Sequence, residues 1–198
     1  MRRIFLLGAL AVAVAVAIGV LARPSASSST PEPSVPIAST GHLPRGHAPV
    51  GAADGVVPDG VTVLDDVPAV ANLDEHLLES LRDAAAEAAG DGVVLEVNSG
   101  WRSPAYQARL LREAVGTYGS AQEAARWVAT PTTSAHVSGD AVDLGASGAA
   151  WLAEHGAAYG VCRVYDNEPW HFERRPAAVD DGCPPTYADP TDDPRMQQ

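Results

Sequence analysis

Three short segments hold most of the residues that could do chemistry: Ser99-Gly100-Trp101-Arg102-Ser103, Ser134-Ala135-His136-Val137-Ser138-Gly139-Asp140-Ala141-Val142-Asp143, and Glu168-Pro169-Trp170-His171-Phe172-Glu173. His136, Asp143 and His171 form a candidate metal site. Two neutral imidazoles and one carboxylate supply three protein ligands, the number that leaves a zinc ion one open position for water. With a single anionic ligand the centre keeps a net positive charge, so the ion can acidify a bound water to a pKa of about 7 and polarise a carbonyl. His136 and Asp143 have an odd separation that would put them on opposite faces of a straight strand, but Gly139 between them permits a turn that brings both inward. Glu168 is the natural general base: it precedes His171 by one bend, forced by Pro169, and can sit beside the metal water without being a fourth ligand. The same ligand trio also describes non-haem iron sites, and Glu168 favours hydrolytic zinc instead.

Arg102 follows a strand end and immediately precedes a helix cap, Ser103, so a guanidinium and a helix N-terminus point into one region, which suits an anion. Gln107 and Ser134 are candidate hydrogen-bonders to substrate. Trp101 and Trp170 read as packing around the site, Glu173 as an acceptor that could orient a ligand, and Asp140 as exposed turn polarity. His76 and His155 have adequate structural roles in helices, the latter near a C-terminus that favours a cation. His42 and His47 lie in a Pro/Ser-rich stretch without neighbouring ligands and read as solvated.

Taken together, Ser134-x-His136-x-x-Gly139-x-Ala141-x-Asp143, the following Glu168-x-x-His171, and the preceding Ser-Gly-x-Arg102-Ser with Gln107 resemble the VanY-type D-alanyl-D-alanine carboxypeptidases. That family is related to the VanX dipeptidases and shares the hedgehog-domain fold. The resemblance covers residues 93–183. It implies zinc on His136, Asp143 and His171, proton handling by Glu168, and an Arg102 that either stabilises the substrate carbonyl as it becomes an oxyanion or holds the peptide's terminal carboxylate. The implied reaction removes the terminal D-Ala from a peptidoglycan stem peptide. Two other outcomes use the same residues: an L,D-carboxypeptidase or endopeptidase cut, and a zinc-stabilised cell-wall binding module without turnover. Glu168 weighs against the last, since a binding module has no use for a base beside its metal.

The rest of the chain must export and position these groups. Arg2 and Arg3 precede an apolar run over residues 4–21, and Arg23-Pro24 with Ser-rich sequence ends it. Residues 1–22 therefore read as a signal peptide or an N-terminal membrane anchor, which puts the remainder outside the cytoplasm, secreted, in the cell wall or anchored to the outer face of the cytoplasmic membrane. Residues 23–60 read as a disordered Pro/Ser/Gly-rich linker, 61–185 as the catalytic domain and 186–198 as an irregular tail. Cys162 and Cys183 suit an oxidising compartment and read as a disulfide enclosing His171, worth ~3 kcal/mol on the chain-entropy account. Net charge is -12, and all 13 basic residues are Arg. An acidic chain without a basic stripe excludes nucleic acid as a partner. The expected state is a monomer.

Asp74 can cap a helix whose apolar positions Leu77, Leu78, Leu81, Ala84, Ala85 and Ala88 follow helical spacing and which Gly90 ends. Residues 93–97 read as a buried strand. Ser103-Pro104 opens a helix over 104–115, with further helices expected over 121–128 and 148–155. Short strands are expected over 141–144, 161–165 and 170–174, with Trp170 and Phe172 on the core side. Mixed helices and short antiparallel strands indicate a single small α+β domain, the hedgehog/DD-peptidase-like class that the resemblance implies.

Overall fold

A computed structural model describes residues 49–197. The signal or anchor segment and most of the expected linker, with His42 and His47, lie outside the described residues. Among the described residues, no helix is long and apolar enough to cross a membrane.

Asp74 does cap the long helix. Its Oδ1 accepts from the backbone N–H groups of His76 and Leu77, both at 3.1 Å. This follows a one-turn helix α1 (Pro68–Ala71) and opens α2 (Glu75–Gly90). One stripe of α2 is buried, formed by Leu77, Leu81, Ala84, Ala85 and Ala88. Truncating Leu81 to Ala in such a stripe costs about 3 kcal/mol. The other helices are α3 (Pro104–Tyr118), α4 (Ala121–Ala125), α5 (Ala135–Ser138), α6 (Ala146–His155) and α7 (Ala178–Asp181). Ser103 caps α3, accepting from the Tyr106 N–H, and Gly119 ends it in the left-handed conformation.

Four short strands, β1 (Val97–Ser99), β2 (Ala141–Leu144), β3 (Val161–Arg163) and β4 (His171–Arg174), form one antiparallel sheet in the order β1-β2-β4-β3. Side chains alternate across it. Val142, Leu144, Phe172 and Val161 join Val97 in the core with Leu77, Leu81, Trp151 and Leu152 from α2 and α6. Asp143, His171 and Glu173 occupy the opposite face, where they are buried in turn by other parts of the chain.

Four expectations need correction. The first strand begins at Val97, not residue 93. Residues 95–97 instead bond to the entry segment, Val63 N–H donating to Leu95 O (3.3 Å) and Val97 N–H to Val61 O (2.7 Å). Second, the fold starts before residue 61. Ala52–Asp54 forms a 3₁₀ turn, and Asp54 accepts from the backbone N–H and from the hydroxyl of Ser103, both at 2.8 Å. The end of the expected linker thus braces the start of α3. Third, α4 stops at Ala125, and the side chain of Arg126 at its C-cap reaches Asp189. Fourth, the tail is docked: 3₁₀ turns at Pro190–Asp192 and Pro194–Gln197 carry Asp189 and Asp193, both buried.

The cysteines form the expected bridge, Cys162 to Cys183, with Cα atoms 5.6 Å apart. It ties β3 to the segment after α7 and so encloses β4.

Candidate metal centre

The metal-site candidates arrive on different elements. His136 lies on α5, a single turn stopped by Gly139 at φ +85°, and β2 starts two residues later. A Cβ on Gly139 would stand 2.6 Å from the Asn72 carbonyl oxygen, so both the left-handed turn and the close approach require glycine. Asp143 pairs with His171 across β2 and β4, and Ser99 on β1 is the cross-strand partner of Asp143. A register irregularity between Val97 and Ser99 produces that last pairing, since a bulge lets Val97 stay in the core while Ser99 turns to the site.

These elements bring the ligand atoms of His136, Asp143 and His171 within 4.8 Å of one another, all buried. The His136 Nδ1 is 2.8 Å from the Gly100 carbonyl oxygen. A carbonyl only accepts, so Nδ1 carries the hydrogen. Burial first, then the Arg102 charge, lower the His136 pKa, and the neutral ring leaves an Nε2 lone pair. That lone pair faces Asp143 Oδ2 at 3.3 Å. Arg102 already donates to this Asp143 oxygen (2.8 Å), but the His136 Nε2 lone pair remains open, and a divalent ion could take that lone pair together with the carboxylate.

His171 points its Nδ1 at Asp143 Oδ1 (3.0 Å) and its Nε2 at Glu173 Oε1 (3.2 Å). Burial alone would lower its pKa, but hydrogen bonds to the two carboxylates outweigh it and push the imidazole up to about 10. A metal on Nδ1 would take the place of one of these protons. Glu173 meanwhile fixes the ring from behind, the arrangement that sets which nitrogen faces the ion.

Glu168 sits at the turn before β4, its Oε2 3.8 Å from His171 Nδ1. Burial raises its carboxyl to about 7, with Asp143 adding to the rise and His171 opposing it. A carboxyl poised near neutrality can both accept and return a proton.

Arg102 donates from Nε to Ser99 Oγ (2.7 Å), from one terminal nitrogen to Gln107 Oε1 (3.2 Å), and from the other to Asp143 Oδ2 (2.8 Å). Among the described residues, two of its five N–H groups have no partner and could serve a ligand.

A family model described as VanY, D-alanyl-D-alanine carboxypeptidase, matches residues 70–176, a span that contains every residue of this centre. The chain belongs to the VanY family. A D-alanyl-D-alanine carboxypeptidase from Enterococcus faecalis (strain ATCC 700802 / V583) is 35% identical over 126 residues, covering 50% of this chain and 47% of that protein. The chain therefore spans about half the length of this curated relative. VanYB in complex with D-alanine-D-alanine superposes with a TM-score of 0.50 at 29% identity, over 56% of this chain and 74% of that one. A mutant of the vancomycin resistance D,D-pentapeptidase VanY in complex with Zn(II) is 30% identical, covering 52% of this chain and 72% of that one with a TM-score of 0.48.

In this VanY-family chain the centre opens into a cleft of about 350 Å³. Trp127 and Tyr118, stacked at 5.7 Å between ring centroids, line the cleft together with Ser134, Trp170 and Met196. Ser134 precedes α5 without using its side chain as a cap, and its hydroxyl is available to a substrate. Gln107 also lines the cleft. It is 1% exposed, accepts from Arg102 and donates to the Ala129 carbonyl at 2.9 Å, so its amide chiefly holds the arginine in place. Trp170 differs from expectation. It is 39% exposed and stands at the cleft rim just before β4 begins, where its carbonyl accepts from Leu144 N–H (3.1 Å). Asp140 is exposed as expected.

Sequence reasoning missed Tyr165, Asp193 and Arg195. The Tyr165 ring lies 5.2 Å from that of His171, and its hydroxyl donates to Asp193 at 3.0 Å. No local pattern marks these residues, which meet only through the return of the C-terminal segment.

Proposed function

We propose that this protein is a zinc-dependent carboxypeptidase that removes the terminal D-Ala from peptidoglycan stem peptides outside the cytoplasm. The observation that carries the reading is the buried His136, Asp143 and His171 cluster with the Glu168 carboxyl beside it, held near neutrality, at the end of an open cleft. His136 Nε2, one Asp143 oxygen and His171 Nδ1 would hold the ion. Zinc there supplies a Lewis acid for the scissile carbonyl and lowers the pKa of water.

The chain's own residues do the remainder. Glu168 takes a proton from the attacking water and delivers it to the leaving amine, so the amide bond breaks to a carboxylate and an amine. Arg102, fixed by Ser99 and Gln107, presents its two free N–H groups to negative charge on the substrate, either the developing oxyanion or the terminal carboxylate. Ser134 offers a hydroxyl to the peptide backbone. The cleft toward Trp127 and Tyr118 gives the rest of the stem peptide an apolar, aromatic path. Glu168 separates this reading from a zinc-stabilised binding module, because a buried carboxyl beside the site whose affinity for a proton is raised suits proton transfer, and a module that only binds gains nothing from it. The disulfide agrees with an oxidising compartment.

Incubating the purified protein with muropeptides and following them by mass spectrometry tests the reading. Loss of one alanine, abolished by a chelator and restored by zinc, is expected. Loss of a larger fragment would indicate an endopeptidase, and an L,D product would reassign the stereochemistry. No change with zinc-loaded protein would reject the enzyme.

A further inference from the structure

The family match ends at residue 176, yet the chain continues and its last segment returns behind the metal centre. Asp189, buried, holds this segment to α4 by accepting from Arg126 Nε at 2.7 Å. Four residues on, Asp193 is fully buried and accepts from Arg195 Nε and from the Tyr165 hydroxyl, both at 3.0 Å. The two terminal nitrogens of Arg195 donate to Glu173 Oε2 (2.6 Å) and Oε1 (3.3 Å), and the second of them also donates to Asp193 Oδ2. Glu173 is in turn the acceptor for His171 Nε2.

A closed circuit results. From Asp193 one arm runs through Arg195 and Glu173 to the edge of the His171 ring, and the other runs through Tyr165, whose ring lies 5.2 Å from that of His171. On the zinc reading above, we infer that Arg195 is a positioning residue for the metal centre: its two-pronged grip on Glu173 sets the rotation of the His171 imidazole and thereby aims Nδ1 at the ion.

The charge on Glu173 does not by itself require Arg195, because Arg175 already stands 2.9 Å from Glu173 Oε2. What Arg195 adds is geometry. A bidentate fork fixes the plane of a carboxylate, which a single contact leaves free to rotate. Partners of this kind behind a ligating histidine change metal affinity by roughly 10- to 100-fold.

The test uses the full-length protein and measures three quantities: the zinc dissociation constant by competition with a chromophoric chelator, the visible spectrum of the cobalt(II) form, and the thermal unfolding midpoint without metal. Arg195→Ala should weaken zinc by roughly 10- to 100-fold and alter the cobalt bands. Arg195→Lys, which keeps charge without the fork, should fall between it and wild type, and it carries the same comparison should Arg195→Ala not fold. Arg126→Ala, which cuts the other tie of the segment, should lower the unfolding midpoint while leaving zinc affinity and the cobalt spectrum unchanged. Wild-type affinity in both Arg195 variants would overturn the inference. So would equal weakening by Arg126→Ala, which would mean that docking of the segment matters and the Arg195 contact does not. Wild-type protein that binds no zinc would overturn the metal reading itself, and this inference with it.

Discussion

Replacing Glu168 by Gln should make the metal-free protein more stable at alkaline pH while removing its activity. The carboxyl is pushed from an ordinary 4.5 up to about 7, chiefly by burial. Below pH 4.5 it is protonated in both the folded and the unfolded chain, and its burial carries no ionic penalty. As pH rises toward 7 the unfolded chain ionises readily while the folded one resists, so the stability contributed by the protonated group is progressively lost. Once ionisation is complete in both states the loss amounts to about 3 kcal/mol. Gln has nearly the same shape and never ionises. Urea unfolding of chelator-treated protein should therefore show Glu168→Gln ahead of wild type by about 3 kcal/mol at pH 8.5, with the two close together at pH 4.5. The same variant, loaded with zinc, should bind the metal but release no alanine from muropeptides. A stability difference independent of pH, or a Gln variant less stable at pH 8.5, would refute the claim that Glu168 is held in strained, proton-ready form. Full hydrolysis by the variant would remove it from proton transfer.

Arg102→Lys should retain zinc and lower kcat/KM roughly 100-fold, because an ammonium cannot hold Ser99, Gln107 and Asp143 together and still donate to substrate; steady-state kinetics on a D-Ala-D-Ala peptide reads this. Gly139→Ala should destabilise the fold by about 2 kcal/mol from the left-handed backbone alone, with further loss from the clash with the Asn72 carbonyl, as measured by chemical unfolding. Because that turn sets His136 against Asp143, zinc binding should weaken as well. Reducing the Cys162–Cys183 bridge should cost about 3 kcal/mol for its 21-residue separation, seen as a lowered urea midpoint in reductant.

The centre was legible in outline because its chemistry is local. The Ser134 to Asp143 motif contains its own turn glycine, and Glu168 and His171 share a single bend, so residue type and spacing nominate them without any fold in hand. The α2 stripe, the Asp74 and Ser103 caps, and the β2 strand were readable for the same reason: each depends on neighbours within a turn or two. Residues 93–97 misled because a buried apolar run looks like a strand whether or not it lies in the main sheet. Its partners turned out to be residues 61–63, and only tertiary pairing decides that. The burial of Gln107, held by Arg102 and Ala129, and the exposure of Trp170 at the cleft rim depend on tertiary neighbours that spacing does not reveal.

Residue chemistry and short spacing were enough to nominate His136, Asp143 and His171 as ligands, Glu168 as the candidate base, and Cys162 with Cys183 as a bridge. Tertiary structure alone decided which nitrogen of each histidine faces the site, that Arg102 is fixed on Asp143, and that the last residues close behind His171. Those outcomes rest on contacts between groups distant in sequence, such as Arg195 with Glu173 and Gly100 with His136, and no local pattern encodes contacts whose partners are brought together only when the sheet and its covering segments pack.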